Sequence, residues 1–182
     1  MKTSLNELVD RFPPPAKPRF TPVDWDNLER SLGFSYPPSF QEFIDVYGGS
    51  VWFNNLSPLY SQAQTDEEAR EFLKTVDQKC NQDRGNTYDE HGKPFSPPFY
   101  PDEGGLFPFL VDYGGNEYYW ETDADDPEEW PIVKSHGGWM TRHTPMSIPA
   151  MILKWLERDP QMMEMWGDVS RVPPEQLRIT EV

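Results

Sequence analysis

Carboxylate side chains are the chemically active groups that this sequence concentrates in one place. Between Lys93 and Lys134 there is no lysine, arginine or histidine, yet this stretch carries ten acidic residues. They account for ten of the fifteen net negative charges of the 182-residue chain, and they are Asp102, Glu103, Asp112, Glu117, Glu121, Asp123, Asp125, Asp126, Glu128 and Glu129. Carboxylates at this density could bind a metal cation, exchange protons with a substrate or attract a basic protein.

A calcium loop is the first of these possibilities, and its residue spacing can be checked. An EF-hand loop needs acidic residues at positions 1, 3 and 5, glycine at position 6 and glutamate at position 12. If Asp123 is position 1, then position 5 is Pro127, position 6 is Glu128 and position 12 is Lys134. The spacing therefore excludes an EF-hand, although an irregular calcium site is left open.

Other metal-binding or catalytic patterns have little support in the sequence. The three histidines, His91, His136 and His143, lack the spacing of zinc ligands. Cys80 is the single cysteine, and because nothing in the sequence supplies it with a base, an inert buried thiol is the better interpretation. We therefore expect no cofactor, no metal and no catalytic residue. A hydrolase that uses some of the carboxylates stays open as an alternative.

The net charge favours a basic protein as the partner. With 16 basic and 31 acidic residues, the chain should repel a phosphate backbone and attract a basic surface. We expect the interface on an acidic loop, residues 121–129, and at the turn end of the hairpin before it. The predicted partner-binding residues are Asp112, Glu117, Glu121, Asp123, Asp125, Asp126, Glu128 and Glu129. Ordinary solubilising charge is the alternative interpretation of this loop.

A β-hairpin must position these carboxylates. Apolar, aromatic-rich runs flank Gly114-Gly115 within residues 106–122, which is typical of two strands joined by a two-residue turn. Pairing outward from that turn places three pairs on one inward face, namely Tyr113–Asn116, Val111–Tyr118 and Phe109–Trp120. The other face would pair Asp112 with Glu117, and two like charges in that position should lie in solvent or meet a cation.

Helical patterns lie on both sides of the hairpin in the sequence. Ser39 and Glu42 have capping-box spacing at the start of an amphipathic helix. The apolar stripe of that helix comprises Phe40, Phe43, Ile44 and Tyr47. Together these patterns predict an α+β fold, with a twisted antiparallel sheet, a central hairpin and helices packed against it.

Four short motifs resemble the opening of the SUKH superfamily of SMI/KNR-type domains. In order, they are Glu29-x-x-Leu32-Gly33, Tyr36-Pro37, Phe40-x-x-Phe43-Ile44 and Tyr47-Gly48-Gly49. The resemblance covers residues 25–156, and it departs from the family pattern at Tyr36, where leucine is usual, and at Tyr47, where asparagine is usual. It implies a non-enzymatic protein-binding domain. Many bacterial members resemble immunity proteins that neutralise a cognate toxin, often a nuclease, whereas fungal relatives imply a regulatory or scaffold role.

The chain divides by composition into three parts. We predict an N-terminal helix and proline-rich strap over residues 1–22, the SUKH-like domain over 23–158 and a C-terminal helical extension over 159–182. The N-terminus lacks the apolar core of a signal peptide, and no apolar run approaches the roughly 18–20 residues of a membrane span. A lone cysteine suits a reducing compartment, so we expect a cytoplasmic protein. The oligomeric state is left open.

Overall fold

The computed structural model describes residues 3–53, 55–85 and 87–180. Within these residues the chain forms six α-helices and seven strands. The helices are α1 (Ser4–Arg11), α2 (Trp25–Leu32), α3 (Pro38–Tyr47), α4 (Asp66–Asp83), α5 (Ile148–Leu156) and α6 (Pro160–Trp166). The strands are β1 (Val51–Trp52), β2 (Leu56–Pro58), β3 (Leu106–Asp112), β4 (Asn116–Glu121), β5 (Ile132–His136), β6 (Trp139–His143) and β7 (Ile179–Thr180).

All seven strands belong to one antiparallel sheet, in the order β6-β5-β4-β3-β2-β1-β7. Both faces of its centre are covered, because side chains alternate between the faces of a strand. Glu117 of β4 forms an ion pair with Lys79 of α4, whereas Trp120, on the other face, packs on Phe40 of α3. The predicted α+β class with a central hairpin, β3–β4, is therefore confirmed.

The predicted register of the hairpin is wrong. Val111 pairs with Glu117 and Leu110 with Tyr118, one residue away from the prediction, and Phe107 pairs with Trp120 beyond a bulge between Pro108 and Leu110. Tyr113 lies in the turn, beyond the end of β3, and it points to solvent with 69% of its surface exposed, instead of packing inward.

The turn chemistry explains this difference. A two-residue turn of type I′ would need positive φ at both glycines, but among the described residues 106–121 only Gly115 has one, at 83°. The Asp112 side chain accepts a hydrogen bond from the Asn116 N–H at 3.0 Å, and the Asp112 carbonyl accepts one from the Gly115 N–H at 3.2 Å. The loop therefore has three residues, Tyr113–Gly115, and it closes on the carboxylate of Asp112.

Trp120 is the centre of the aromatic core. Its ring is stacked on the bulged Phe109 with centroids 4.2 Å apart, and it meets the Phe40 ring edge-on at 5.1 Å. Tyr36, Trp130 and Phe107 also contact it, with ring centroids at 5.9, 6.0 and 6.4 Å. The core thus joins the hairpin to α3 and to Trp130, the residue that follows the acidic loop.

The predicted stripe of α3 is buried, but its predicted capping box is wrong. All four apolar residues of the stripe are buried. Pro37 occupies the N-cap position, and no side chain of the helix itself caps the N-terminus. Ser39 is the second residue of the helix, two positions after the N-cap, so it does not occupy the position from which a side chain caps the first turn. Its hydroxyl instead donates to a carboxylate from a distant part of the chain, Glu128.

Gly48 and Gly49 allow the proline-rich strap to lie against the end of α3. Gly48 has φ 59° and ψ −150°, a conformation open almost only to glycine. A Cβ atom on Gly48 would lie 2.2 Å from the carbonyl oxygen of Arg19. The N–H of Gly49 donates to that same oxygen at 3.0 Å, so the strap is bonded where the two glycines leave space.

The segments at both ends of the chain pack on the central domain. In α1, Leu8 is fully buried, and the Phe12 ring lies 5.8 Å from the Trp52 ring. At the other end, β7 pairs with β1. The three-part division of the chain stays a prediction. None of the described helices is both long enough and apolar enough to cross a membrane.

We expect Trp120→Ala to lower the free energy of unfolding by about 3–5 kcal/mol, because it removes the ring that the other core aromatics contact. Urea denaturation would measure the loss. Trp139→Ala is the matched control, since Trp139 is 53% exposed and its removal should cost about 1 kcal/mol or less. Equal midpoints for wild type and Trp120→Ala would contradict the packing described above.

A second pair of variants tests how much the backbone conformation of Gly48 and its contact with the strap contribute together. Gly48→Ala should destabilise the protein more than Gly33→Ala. Both positions have positive φ, which costs alanine about 1–2 kcal/mol, but a Cβ on Gly33 meets no atom within 4 Å. Thermal unfolding of both variants would rank them. Equal losses would mean that Arg19 and the strap move aside freely.

Candidate functional site

The acidic loop has a defined shape because its own groups bond to one another. It contains a 3-10 turn at Pro127–Glu129. Asp126 Oδ1 accepts from the N–H of Glu128 at 3.0 Å, and the Trp130 indole Nε1–H donates to the carbonyl of Ala124 at 2.8 Å. The backbone that carries the carboxylates of this loop is therefore held in one shape.

Glu128 ties the loop to the N-terminus of α3. Its Oε1 accepts from the backbone N–H of Ser39 at 2.7 Å, and its Oε2 accepts from the Ser39 hydroxyl at 2.8 Å. The first N–H groups of a helix lack partners within the helix and carry partial positive charge, so a carboxylate is favoured there. Glu128 thus supplies the cap that α3 lacks.

The loop forms one wall of a depression of about 590 Å³. The other walls are residues 32–35, at the C-terminal end of α2, and residues 100–104 before β3. Three aromatic side chains line it, Phe34, Tyr100 and Trp130. The Phe34 ring lies 5.9 Å from Tyr100 and 5.5 Å from Trp130, so the three rings form one apolar surface.

Carboxylates surround these rings, and we call the whole site the acidic depression. Asp102, Glu103 and Asp125 line it, and all three are exposed. Asp123 lies beside it, since a Cβ on Gly104 would be 3.6 Å from the Asp123 Cβ. The acidic depression therefore combines an aromatic lining with at least four carboxylates.

Little of this charge is neutralised within the protein. Arg84 lies 4.0 Å from Asp102, but both side chains are largely exposed, and such a pair contributes little in water. In the described part of the chain, no salt bridge is formed by Glu103, Asp123, Asp125 or Glu129. The depression should therefore carry a strong negative potential.

Asp112 lies at the other end of the hairpin, about 17 Å away along the length of β4. It is buried and accepts hydrogen bonds from the Asn116 Nδ2–H at 2.7 Å and from the Tyr118 hydroxyl at 2.9 Å. Burial raises the pKa of Tyr118, which keeps this hydroxyl protonated as a donor. Asp112 therefore shapes the turn.

Glu117 was expected either to lie in solvent or to meet a cation, and in the structure it meets a cation. It forms an ion pair with Lys79 of α4, and its second oxygen accepts from the Tyr119 hydroxyl at 2.5 Å. Burial, followed by the hydrogen bond to Glu117, raises the pKa of Tyr119. Both oxygens of Glu117 thus bond within the domain.

Glu121, the last residue of β4, also has a cationic partner. Arg142 Nε lies 2.5 Å from its Oε2, across the sheet from the acidic depression. Of the eight predicted residues, the fold keeps Asp123, Asp125, Asp126, Glu128 and Glu129 together on the acidic loop. It separates Asp112, Glu117 and Glu121 from them. Whether any of the eight contacts a partner stays a prediction.

Sequence reasoning missed four residues of this site. Asp102 and Glu103 are in the same acidic stretch, but they precede β3, and only the fold brings residues 100–104 next to the acidic loop. Phe34 and Tyr100 belong to irregular segments, where no periodicity distinguishes a core residue from a surface one. The density of acidic residues was the one signal in the sequence that included Asp102 and Glu103. It could not show that they lie beside the acidic loop.

The described residues also bear on the metal and nucleophile alternatives. No group of three or more histidine, cysteine, aspartate or glutamate side chains among them is arranged to hold a metal ion. Cys80 is fully buried, and its thiol lies 3.7 Å from the carbonyl oxygen of Leu106. Burial raises the pKa of the Cys80 thiol to about 12, which keeps it in the poorly nucleophilic protonated form.

Comparison with known families gives one match. The model described as the SMI1 / KNR4 family (SUKH-1) matches residues 19–146, which is more than two thirds of the chain. This range contains Arg19 of the strap, the β3–β4 hairpin and all three walls of the acidic depression. No curated protein and no solved structure matches the chain.

We expect Glu128→Ala to destabilise the fold although the side chain is exposed. The loss should be about 0.5–2 kcal/mol, as for the removal of a helix cap, because α3 would lose both bonds at Ser39. Asp125→Ala, in the same loop, is the control and should leave the urea midpoint unchanged. Indistinguishable midpoints for the two variants would show that Glu128 does not cap α3.

Proposed function

We propose, because this chain belongs to the SMI1/KNR4 family (SUKH-1), that it is a non-enzymatic protein-binding domain and, more specifically, a cytoplasmic immunity protein. In this role it binds a cognate toxin and neutralises it through its acidic surface. The observation that carries the proposal is the acidic depression, in which exposed carboxylates surround an aromatic lining.

Such a site suits lysine and arginine side chains. A cation can lie against the partly exposed rings of Phe34 or Tyr100 and be attracted by the ring electrons. Its N–H groups can at the same time donate charge-assisted hydrogen bonds to Asp102, Glu103 or Asp125. Aromatic residues also dominate the energetics of protein interfaces, so the depression offers both charge and anchoring area.

A nuclease is the kind of toxin that this surface fits best. The cleft of a nuclease is basic because it must hold phosphates, and an acidic protein surface can occupy the same cleft. Opposite charges would also accelerate encounter, since electrostatic steering raises association rates at low salt. Fast capture matters for an immunity protein because a free toxin acts catalytically.

Two classes of carboxylate can be separated experimentally. Asp126 and Glu128 bond to backbone N–H groups and shape the loop. Asp123, Asp125 and Glu129 are exposed and form no salt bridge among the described residues, so their charges are free for a partner. The binding test therefore changes Asp123, Asp125 and Glu129 and leaves Asp126 and Glu128 in place.

The triple variant Asp123→Asn, Asp125→Asn, Glu129→Gln should slow association with the toxin about tenfold at low salt and flatten the salt dependence. It should leave folding intact. Surface plasmon resonance would measure both rates at low and high salt, with the cognate toxin domain as the immobilised protein. Growth of cells that express this toxin would report neutralisation.

The control is a second triple variant, Glu157→Gln, Glu164→Gln, Glu175→Gln. All three residues are exposed and lie in the C-terminal part of the chain. Either triple variant removes three negative charges, so both change the net charge from −15 to −12. Equal rates for the two variants and wild type at both salt concentrations would place the interface elsewhere. Binding without protection of growth would favour the regulatory or scaffold role.

A further inference from the structure

A second surface near the acidic depression has the features of a docking groove. Five large apolar side chains in the described part of the chain are exposed, and three of them, Tyr88, Phe95 and Trp139, belong to one region. Here a groove of about 370 Å³ lies between residues 89–97 and the sheet. Exposed aromatic groups beside a groove are typical of interaction sites.

The outer wall of the groove is a small hairpin that is bonded to the edge of the sheet. Tyr88 bridges Pro94 within this hairpin. The Tyr88 N–H donates to the Gly138 carbonyl at 2.9 Å, and the Tyr88 carbonyl accepts from the Met140 N–H at 2.9 Å. The Tyr88 ring is stacked on Trp139 with centroids 5.6 Å apart. The wall is therefore held in place before any partner binds, which reduces the entropy lost on binding.

The floor of the groove crosses four neighbouring strands. Leu106 of β3, Val133 of β5 and Met140 of β6 supply its apolar part, and Glu121 of β4 lies between them. Since strands are about 4.8 Å apart, the floor is roughly 14 Å long. An extended polypeptide rises about 3.3 Å per residue, so about four residues would fill this length. Alternate side chains of such a segment would point down to the floor and up to the rim.

The rim carries more acidic than basic charge. Asp89 accepts from the N–H groups of His91 and Lys93 at 2.9 Å each, and these bonds hold the pKa of Asp89 below its usual range. Glu90 is largely exposed, with His91 3.5 Å away. At the far end Arg142 already pairs with Glu121. Asp89 and Glu90 are thus the charges that an incoming group would meet.

We propose that this groove binds an extended, basic segment of the partner protein. Aliphatic side chains of the segment lie on the apolar floor against Phe95, and the lysine or arginine residues between them reach Asp89 and Glu90. The inference rests on the proposed function in one respect, namely that the partner is a basic protein. It adds a second contact region, whose lining residues are separate from those of the acidic depression.

The charges favour this occupant over a second copy of the chain. A protein of net charge −15 repels itself, and the rim of the groove adds to that repulsion. A further depression of about 440 Å³, beside Phe20, Tyr60 and Tyr113, has Glu68 as its single charged lining residue. Charge therefore distinguishes the groove at Phe95 from the other exposed aromatic surface.

Short peptides test the groove without the toxin. The probe is a capped hexapeptide of alternating leucine and lysine, titrated into the ¹⁵N-labelled protein and followed by amide chemical shifts. We expect shifts centred on residues 89–97 and on β6, and affinity at least fivefold weaker for Phe95→Ser and for Glu90→Gln. Tyr113→Ser, which removes an exposed aromatic ring at the other end of the sheet, is the matched control and should not weaken binding.

Two further peptides decide which features matter. Alternating leucine and glutamate keeps the apolar side chains and reverses the charge, whereas alternating glycine and lysine keeps only the charge. Either peptide binding as well as the leucine-lysine probe overturns the proposal, as does binding that Phe95→Ser leaves unchanged. A wild-type dimer that Phe95→Ser dissociates would assign the groove to a second copy and would likewise overturn it.

The peptide test of the groove and the toxin-binding test of the acidic depression can fail independently of each other. Phe95→Ser and Glu90→Gln leave the acidic depression intact, and the triple loop variant leaves the groove intact. Loss of toxin binding in the loop variant with normal peptide binding would uphold both proposals. Peptide binding without any toxin binding would uphold the groove alone, and toxin binding without peptide binding would uphold the proposed function alone.

Discussion

The packing of Trp120 is the interaction on which the rest of the structure depends. Its ring is stacked on Phe109, which can reach it because the bulge in β3 inserts one extra residue at that point. Trp120 also contacts Trp130, and Trp130 in turn contacts Phe34 in the acidic depression. A continuous set of rings thus links the centre of the sheet to the proposed binding surface. The rigid core therefore determines where the exposed carboxylates lie.

The fold tolerates its high negative charge by giving many carboxylates a local partner. Glu117 has Lys79, Glu121 has Arg142, and Glu128 has the N-terminus of α3. These pairs connect β4 to α4, to β6 and, through the acidic loop, to α3. The carboxylates around the depression have much less compensation. Their mutual repulsion is a cost to the isolated domain that a basic partner would relieve, which gives the charge distribution a functional meaning.

Both proposed contact regions lie at the end of the β3–β4 hairpin away from its turn. The acidic depression is built from segments that precede β3 and follow β4, and the groove at Phe95 begins at Leu106 and Glu121, the outer ends of the same strands. The chain between α4 and β3 contributes a wall to each. An insertion at this position can therefore alter partner recognition while the sheet and its core stay the same, because the walls bond mainly to strand edges and loops.

Local physical chemistry was enough for much of the fold. The stripe of α3, the central hairpin and the α+β class all follow from periodicity and from the conformational preferences of glycine. The acidic stretch can be read from composition, and the prediction of a basic partner rests on it. The register of the hairpin did not follow, because it depends on the Asp112 side chain closing the turn and on a bulge that lets Phe109 meet Trp120.

Nor could the sequence distinguish the carboxylates that cap a helix or meet a lysine from those left free. That distinction depends on contacts between residues far apart in the chain, such as Ser39 with Glu128 or Lys79 with Glu117, which only the tertiary structure brings together.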